Sequence, residues 1–169
     1  MITRIGLYGA GDIADLHAAG VQGCDGADLV GLFDIDKKRS QEKSIQYNCK
    51  SYDSAESMLS DPAIDAVFVL TPLEEHCECA VSALRSGKHV LLEKPVGSTI
   101  NEIEEIKAAA KRLDATFLKG DMRTITVGSF DAAITIFNSI GHLTKLDFEK
   151  TIRNVARNLK DNGLYIFDI

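Results

Sequence analysis

A glycine-rich turn near the amino terminus contains the first residues whose types and spacing suggest chemistry. Gly9-Ala10-Gly11-Asp12-Ile13-Ala14 directly follows an apolar run and precedes an amphipathic one. Gly9 permits a tight turn, Gly11 lets the backbone approach a pyrophosphate, and Ala14 takes the place of the glycine at which helix and strand pack closely. Free N–H groups at the helix start, around Asp12 and Ile13, favour a bound phosphate. The turn predicts dinucleotide binding; a glycine turn without a ligand is the alternative.

An acidic residue follows at the distance that such a site requires. Asp34 lies 23 residues after Gly11, at the end of the second apolar run. A carboxylate there accepts hydrogen bonds from the adenine ribose hydroxyls and repels a 2′-phosphate, which favours NAD over NADP. The basic run Lys37, Lys38 and Arg39 leaves NADP open, although a solvated helix start explains it equally. Asp12 lies beside the pyrophosphate site or else serves the helix N-terminus, which favours carboxylates.

Short apolar runs alternate with amphipathic segments along the whole chain. Several runs are apolar at successive positions, as in a parallel sheet covered by helices on both faces. The pattern predicts an α/β, Rossmann-like three-layer sandwich with a mostly parallel, doubly wound sheet of seven or eight strands. Predicted strands are 2–8, 28–33, 66–70, 90–92, 116–118, 132–137 and 164–167, with a weaker one at 49–52; predicted helices are 13–21, 37–47, 55–59, 75–85, 100–113 and 148–159.

Helix-end signals accompany this pattern. Asp53 with Glu56, and Thr99 with Glu102, have the spacing of a capping box. Gly87 and Gly163 fall where a helix is predicted to stop.

Two further polar segments close neighbouring strands. Thr71-Pro72 ends one strand, with His76 four residues beyond Pro72, and Glu93-Lys94-Pro95 ends the next. Open α/β sheets bind their ligands at the carboxyl ends of the strands. We therefore expect Thr71, Pro72, His76, Glu93 and Lys94 to join the glycine turn and Asp34 in one cofactor site.

On these motifs, residues 1 to about 114 resemble the N-terminal NAD(P)-binding domain of the Gfo/Idh/MocA oxidoreductases. The resemblance implies that Lys94 lies beside the nicotinamide and substrate, with a catalytic or substrate-positioning role, and that Pro95 forms the turn that directs it. His76 is a second catalytic candidate, with a structural role as the alternative. Glu93 either orients Lys94 or forms an exposed ion pair.

That family carries a second, larger domain, which supplies much of the substrate pocket. Only some 55 residues follow residue 114, and their pattern differs from that domain. Hydride transfer requires a substrate carbon held against the nicotinamide while its proton is managed. Lys94 alone provides little of that positioning, so we expect a cofactor-binding module without efficient turnover.

Residues 115–169 resemble the middle and late part of a class I S-adenosylmethionine-dependent methyltransferase. The similarity rests on Gly120-Asp121-Met122, on Phe130-Asp131 and on the strand after Gly163. It implies that Asp121 contacts an adenine and that Phe137 or Asn138 lines the methionine side; retention as fold elements is the alternative for Asp121 and Asn138. S-adenosylmethionine is therefore the alternative cofactor.

Together these patterns predict one Rossmann-like domain over residues 1–169, with an oxidoreductase-like part (1–114) and a methyltransferase-like part (115–169). An engineered or recombined chimera explains this combination; a natural fusion or a truncated gene is the alternative. The functional prediction is an NAD-binding scaffold. Alternatives are a residual NAD(P)-dependent oxidoreductase that uses Lys94, and a methyltransferase-like protein that uses Asp121.

Composition narrows the choice of partners and location. The net charge of −6 argues against a general nucleic-acid binder, which needs a basic face. No apolar run approaches the roughly 18 residues of a membrane helix, and Met1 leads directly into a strand pattern, so we expect a cytoplasmic protein. The four cysteines match no zinc or redox spacing, and we predict no metal site. Without the family's second domain, a sheet edge or an apolar face is expected to be uncovered. A homodimer that covers this surface is therefore a possible assembly.

Overall fold

The computed structural model describes residues 2–111, 120–135 and 140–167. The chain divides into two compact units, Met1–Thr116 and Phe117–Ile169. The predicted strand 116–118 lies outside the described residues, as do Phe137 and Asn138.

The first unit alternates strands and helices around one parallel sheet. The strand order is β3-β2-β1-β4-β5, and every pairing is parallel. After the central strand β1, the next two strands are added on one side of it, and β4 and β5 are added on the other side. The strand order therefore reverses between β1 and β4, and the crevice at their carboxyl ends is the place where such sheets bind ligands. Its elements are β1 (Thr3–Tyr8), α1 (Asp12–Gln22), β2 (Ala27–Phe33), α2 (Lys37–Tyr47), β3 (Lys50–Ser51), α3 (Ala55–Leu59), β4 (Ala66–Val69), a 3-10 turn (Leu73–Glu75), α4 (His76–Arg85), β5 (His89–Leu92) and α5 (Ile100–Lys111).

Apolar side chains cover both faces of this sheet. On one face, Ile5 and Leu7 of β1 pack with Ala14 and Ala18 of α1. On the other face, Val67 and Val69 of β4 pack with residues of α3 and α4. Successive residues of a strand point to opposite faces, so strands covered on both sides are apolar at nearly every position. This arrangement confirms the three-layer prediction.

The helix-end predictions had mixed outcomes. Thr99 and Glu102 form the predicted reciprocal pair, since the Thr99 N–H donates to Glu102 Oε2 (3.0 Å) and the Glu102 N–H donates to Thr99 Oγ1 (3.3 Å). The pairing of Asp53 with Glu56 was wrong, because Ser54 and Ser57 cap α3 one residue later.

The two predicted glycine stops also differ in outcome. Gly87 adopts a φ of +76° just after α4, as a helix-terminating glycine does. Gly163 does not end a helix, because the helix before it (Lys145–Arg157) stops six residues earlier and Gly163 lies within the strand Leu159–Phe167.

The second unit contains β6 (Phe130–Thr135), α6 (Lys145–Arg157) and β7 (Leu159–Phe167). The two strands form a parallel sheet of their own. Helix α6 begins three residues before its predicted start, because the Thr144 side chain accepts the Asp147 N–H and fixes the helix end there. Phe148 of α6 packs edge-on against Phe167 of β7.

The α/β, Rossmann-like, mostly parallel fold is confirmed. The prediction of one sheet of seven or eight strands needs correction, since the described strands form a five-stranded and a two-stranded sheet. An apolar run identifies a strand, but its periodicity does not determine which neighbour it pairs with. A single domain over residues 1–169 stays a prediction. Among the described helices, none combines the length and the apolar character needed to cross a membrane.

Candidate functional site

The glycine turn lies at the carboxyl end of β1, pressed against the end of β4. Gly9 has a φ of +102°, and its N–H donates to the Phe33 carbonyl (2.8 Å). A Cβ at this position would lie 2.9 Å from the carbonyl carbon and oxygen of Leu70. Both the left-handed backbone and the close approach require glycine at this position.

The amino end of α1 is open. Gly11 is the N-cap residue of α1, and no side chain caps the helix there. A Cβ added at Gly11 would meet nothing within 4 Å. The first N–H groups of a helix have no partner within it, and they attract anions. Asp12 and Ile13 are exposed beside this opening, whereas Ala14 is fully buried against the sheet. The space and the donors fit a pyrophosphate.

Asp34 lies at the end of β2 and is only 7% exposed. Its Oδ2 accepts the Ala10 N–H (2.8 Å) and its Oδ1 accepts the Asp36 N–H (2.8 Å). The carboxylate therefore ties the glycine turn to β2. Each carboxylate oxygen has a second acceptor position, so Asp34 also remains able to accept hydrogen bonds from a ribose.

Two residues of the basic run after Asp34, Lys38 and Arg39, contact different partners. Nη1 of Arg39 lies 3.6 Å from Asp34 Oδ2, and its Nη2 lies 3.5 Å from Asp36 Oδ2. Lys38 is strongly exposed and pairs with Glu42 along α2. Arg39 therefore reaches the site, and Lys38 belongs to the solvated helix start.

His76 connects the ends of β4 and β5. It is 2% exposed, with Nδ1 2.7 Å from the Pro95 carbonyl oxygen and Nε2 2.9 Å from the Thr71 carbonyl oxygen. A neutral imidazole has one N–H and donates to one of these carbonyls; an imidazolium donates to both. Since both ring nitrogens face backbone, the geometry favours a positioning role. A catalytic role stays a prediction.

Glu93 is buried, which excludes the exposed ion pair. Its Oε2 accepts the Lys94 N–H (2.9 Å), and its Oε1 lies 2.8 Å from Nε2 of His17. The alternative that Glu93 orients Lys94 is the one that this geometry supports. Lys94 itself is exposed, and its peptide bond to Pro95 is cis.

His17 also belongs to the site, although none of the sequence predictions named it. It lies on α1 three residues after Ala14 and four before Val21, both of which are buried. Positions with this spacing share one face of a helix, so His17 belongs to the stripe that faces the sheet. A polar side chain on such a stripe needs a partner, and that signal was available in the sequence.

In the second unit, Asp121 is engaged by a neighbouring arginine. Its carboxylate accepts the Arg123 N–H (2.9 Å) and hydrogen bonds from Nε (2.9 Å) and Nη2 (2.6 Å) of the Arg123 guanidinium. The guanidinium lowers the pKa of Asp121 to about 2. Arg123 also lies 3.1 Å from Asp147 of α6. The Arg123 guanidinium thus joins the loop before β6 to α6. The predicted adenine contact of Asp121 has no support from this geometry.

Comparison with known proteins identifies the first unit. Residues 3–120 match the oxidoreductase family with an NAD-binding Rossmann fold, Gfo/Idh/MocA. The chain belongs to this family.

The relatives of this Gfo/Idh/MocA member are dehydrogenases and reductases. The chain is 30% identical to glucose-6-phosphate 3-dehydrogenase of Bacillus subtilis over 96% of its own length and 49% of that enzyme. It is 35% identical to 1,5-anhydro-D-fructose reductase of Ensifer adhaerens over 65% of its own length and 33% of that enzyme. The chain thus spans from one third to one half of the curated relatives it matches.

A solved structure gives the same picture. An NAD-binding protein from Listeria innocua superposes with a TM-score of 0.63 at 35% identity, covering 68% of this chain and 34% of that one.

The predicted NAD(P) cofactor is thereby confirmed at the level of the family. A methyltransferase-like segment and a chimera receive no support, and the match to glucose-6-phosphate 3-dehydrogenase extends over 96% of the chain. The expectation of a scaffold without turnover is likewise unsupported.

Proposed function

We propose that this chain forms the NAD-binding part of a dehydrogenase or reductase. The adenine ribose binds Asp34, the pyrophosphate binds the amino end of α1, and the nicotinamide lies beside Lys94. The observation that carries the proposal is the open, uncapped helix start at Gly11, next to a buried carboxylate that also holds the glycine turn. The three positions lie at the carboxyl ends of strands of one sheet, at its switch point.

The same residues favour NAD over NADP. Asp34 is buried and negative where a 2′-phosphate would lie, and like charges at short range repel. Arg39 is already engaged by Asp34 and Asp36, so its charge is largely balanced within the site.

The bound cofactor supplies hydride transfer, and the chain supplies position and a proton route. Lys94 Nζ is the group that exchanges a proton with the substrate oxygen, while Glu93 fixes the backbone of Lys94 through its N–H. The relatives that act on glucose-6-phosphate and 1,5-anhydro-D-fructose support a sugar as substrate class, with a hydroxyl or a keto group as the reacting position. A cytoplasmic location and a homodimer stay predictions.

Cofactor titration tests the proposal directly. We expect NADH to bind more tightly than NADPH, and S-adenosylmethionine not to bind, in isothermal titration calorimetry of the 169-residue chain. Binding of the methyl donor without either nicotinamide cofactor would instead favour the methyltransferase-like alternative.

A glycine variant locates the site. Gly11→Ala places a methyl group in the space assigned to the pyrophosphate, so NADH affinity should fall at least tenfold while the fold persists. Gly20→Ala is the matched control, because Gly20 lies in the same helix and a Cβ there also meets nothing within 4 Å. Equal NADH affinity in both variants would place the cofactor elsewhere.

A further inference from the structure

Glu93 is a buried carboxylate whose two oxygens contact different elements. The Glu93 side chain is 8% exposed, and that of its partner His17 is 15% exposed. Removing a carboxylate from water is costly unless hydrogen bonds replace the lost hydration. Oε1 has His17 on α1, and Oε2 has the Lys94 N–H at the end of β5. The orientation of the carboxylate therefore depends on both contacts.

The imidazole of His17 is itself held in place. Its ring packs edge-on against Phe68 of β4, with ring centroids 5.6 Å apart and an interplanar angle of 76°. The sheet thus fixes the ring, and the ring presents Nε2 to Glu93 Oε1. A side chain that packing and a hydrogen bond already hold in one rotamer can position a neighbouring group precisely.

We infer that His17 is a positioning residue for Lys94, acting through the Glu93 carboxylate. The inference rests on the proposed function, because Lys94 is the residue placed beside the nicotinamide. His17 orients Glu93, and Glu93 holds the Lys94 N–H and hence the backbone from which the Lys94 side chain extends. Helix α1 therefore serves two parts of the cofactor: its first turn serves the pyrophosphate, and its second serves the nicotinamide end through this contact.

The adenine end of the site is held independently. The Ala10 N–H and the Asp36 N–H bind Asp34, and neither contact involves His17 or Glu93. Loss of His17 should therefore weaken a ligand that carries nicotinamide more than a ligand that lacks it.

Two ligands and three variants test the inference. ADP-ribose contains the adenine, both riboses and the pyrophosphate of NADH but no nicotinamide. For His17→Ala we expect NADH affinity to fall roughly tenfold, the size of one hydrogen bond to a charged group, and ADP-ribose affinity to stay within about twofold. His17→Gln should restore NADH affinity, because its amide N–H can donate to Glu93 Oε1. Leu16→Ala is the control on the same helix, since Leu16 is exposed.

Amide hydrogen exchange of Lys94 gives a second readout that needs no cofactor. Its N–H should exchange faster in His17→Ala than in the wild type, His17→Gln or Leu16→Ala. Faster exchange throughout the first unit would instead indicate a general loss of stability and would overturn the inference.

The outcomes separate the two proposals. Two results would overturn the positioning role. One is an equal loss of NADH and ADP-ribose affinity in His17→Ala. The other is a failure of His17→Gln to restore both NADH affinity and the protection of the Lys94 N–H. If the wild type binds neither ligand, the proposed function fails, and Lys94 exchange alone decides the role of His17. If His17→Ala does not fold, Glu93→Gln replaces it, and equal losses for both ligands would again contradict the inference.

Discussion

Asp34 and His76 direct their hydrogen bonds to backbone groups of the site. Asp34 accepts the N–H of Ala10, and His76 faces the carbonyl oxygens of Thr71 and Pro95. Each side chain therefore determines the shape of the loops that would surround a cofactor. Substitution of either residue tests loop structure together with ligand contact.

His76→Ala should lower the free energy of unfolding by about 1–3 kcal/mol, because a buried carbonyl loses its donor. Urea denaturation of the variant measures this change. His89→Ala is the control, since His89 is an exposed histidine of the same unit, at the start of β5. If the wild type turns over a substrate, His76→Ala could lose that turnover without any change in stability. Such a result would instead support the catalytic role.

The contrast between Asp34 and His17 shows which residues a sequence reveals. Asp34 could be predicted because its distance from Gly11 is set by one strand–helix–strand unit of ordinary length. The partner of His17 lies 76 residues away. The contact depends on how α1 packs on the sheet, where the His17 ring meets Phe68 of β4, and on where Glu93 lies after β5. Spacing along the chain contains no information about that packing.

At the scale of elements, the two ends of the strands in the first sheet carry different kinds of residues. The carboxyl ends of the strands carry the candidate site, whereas the amino ends are tied together by charged groups. Arg4 of β1 forms two side-chain hydrogen bonds to Asp65, just before β4 (2.7 and 2.9 Å). Asp61 accepts the Ala63 N–H, the Tyr52 hydroxyl and Lys50 Nζ.

These contacts predict acid sensitivity. Hydrogen bonds from Ala63, Tyr52 and Lys50 lower the pKa of Asp61 from 3.8 to about 2, and Arg4 lowers the pKa of Asp65. A folded-state pKa below the unfolded value adds stability that is full above the unfolded pKa and disappears as the pH falls through the folded one. The urea midpoint should therefore be level near pH 5–6 and fall between about pH 4 and pH 2.

Asp61→Asn is the matched variant for this effect, since it removes the ionisable group and keeps an acceptor oxygen. Its urea midpoint should fall less steeply below pH 4 than that of the wild type. The same slope in both proteins would show that Asp61 does not contribute.

Local chemistry sets several element boundaries, and the predictions drawn from it had mixed outcomes. The Thr99–Glu102 pair depends on residues three apart and was identified correctly. The start of α6 was missed, because Thr144 precedes the first strongly apolar turn and hydrophobic spacing alone places the start at Phe148. The pairing of β6 with β7, rather than with the five-stranded sheet, is a long-range choice that no local signal specifies.

At the scale of the whole molecule, the two units differ in how much sheet each contains. In the first unit β1 and β4 have neighbours on both sides. In the second unit the described strands form a two-stranded sheet, and Ile134 and Leu164 remain 63% and 58% exposed. A two-stranded sheet is marginal unless further packing supports it.

Amide hydrogen exchange should accordingly be slower in β1 and β4 than in β6 and β7 of the same chain. Exchange followed by mass spectrometry or NMR at neutral pH measures this difference, which reflects the lower free energy of local opening in the smaller sheet. Equal protection of all four strands, with one unfolding transition, would instead favour the single domain expected over residues 1–169.

Because Asp34 holds the amide of Ala10, redesign of cofactor preference meets a constraint in this chain. Replacing an acidic residue at this position by alanine is the direct way to admit a phosphorylated ribose, since it removes charge repulsion. Here the same exchange also removes the buried acceptor of the loop that would cradle the diphosphate. Asp34→Asn keeps an acceptor oxygen and releases Arg39 from a charged partner, so a switch toward NADP should begin from that substitution.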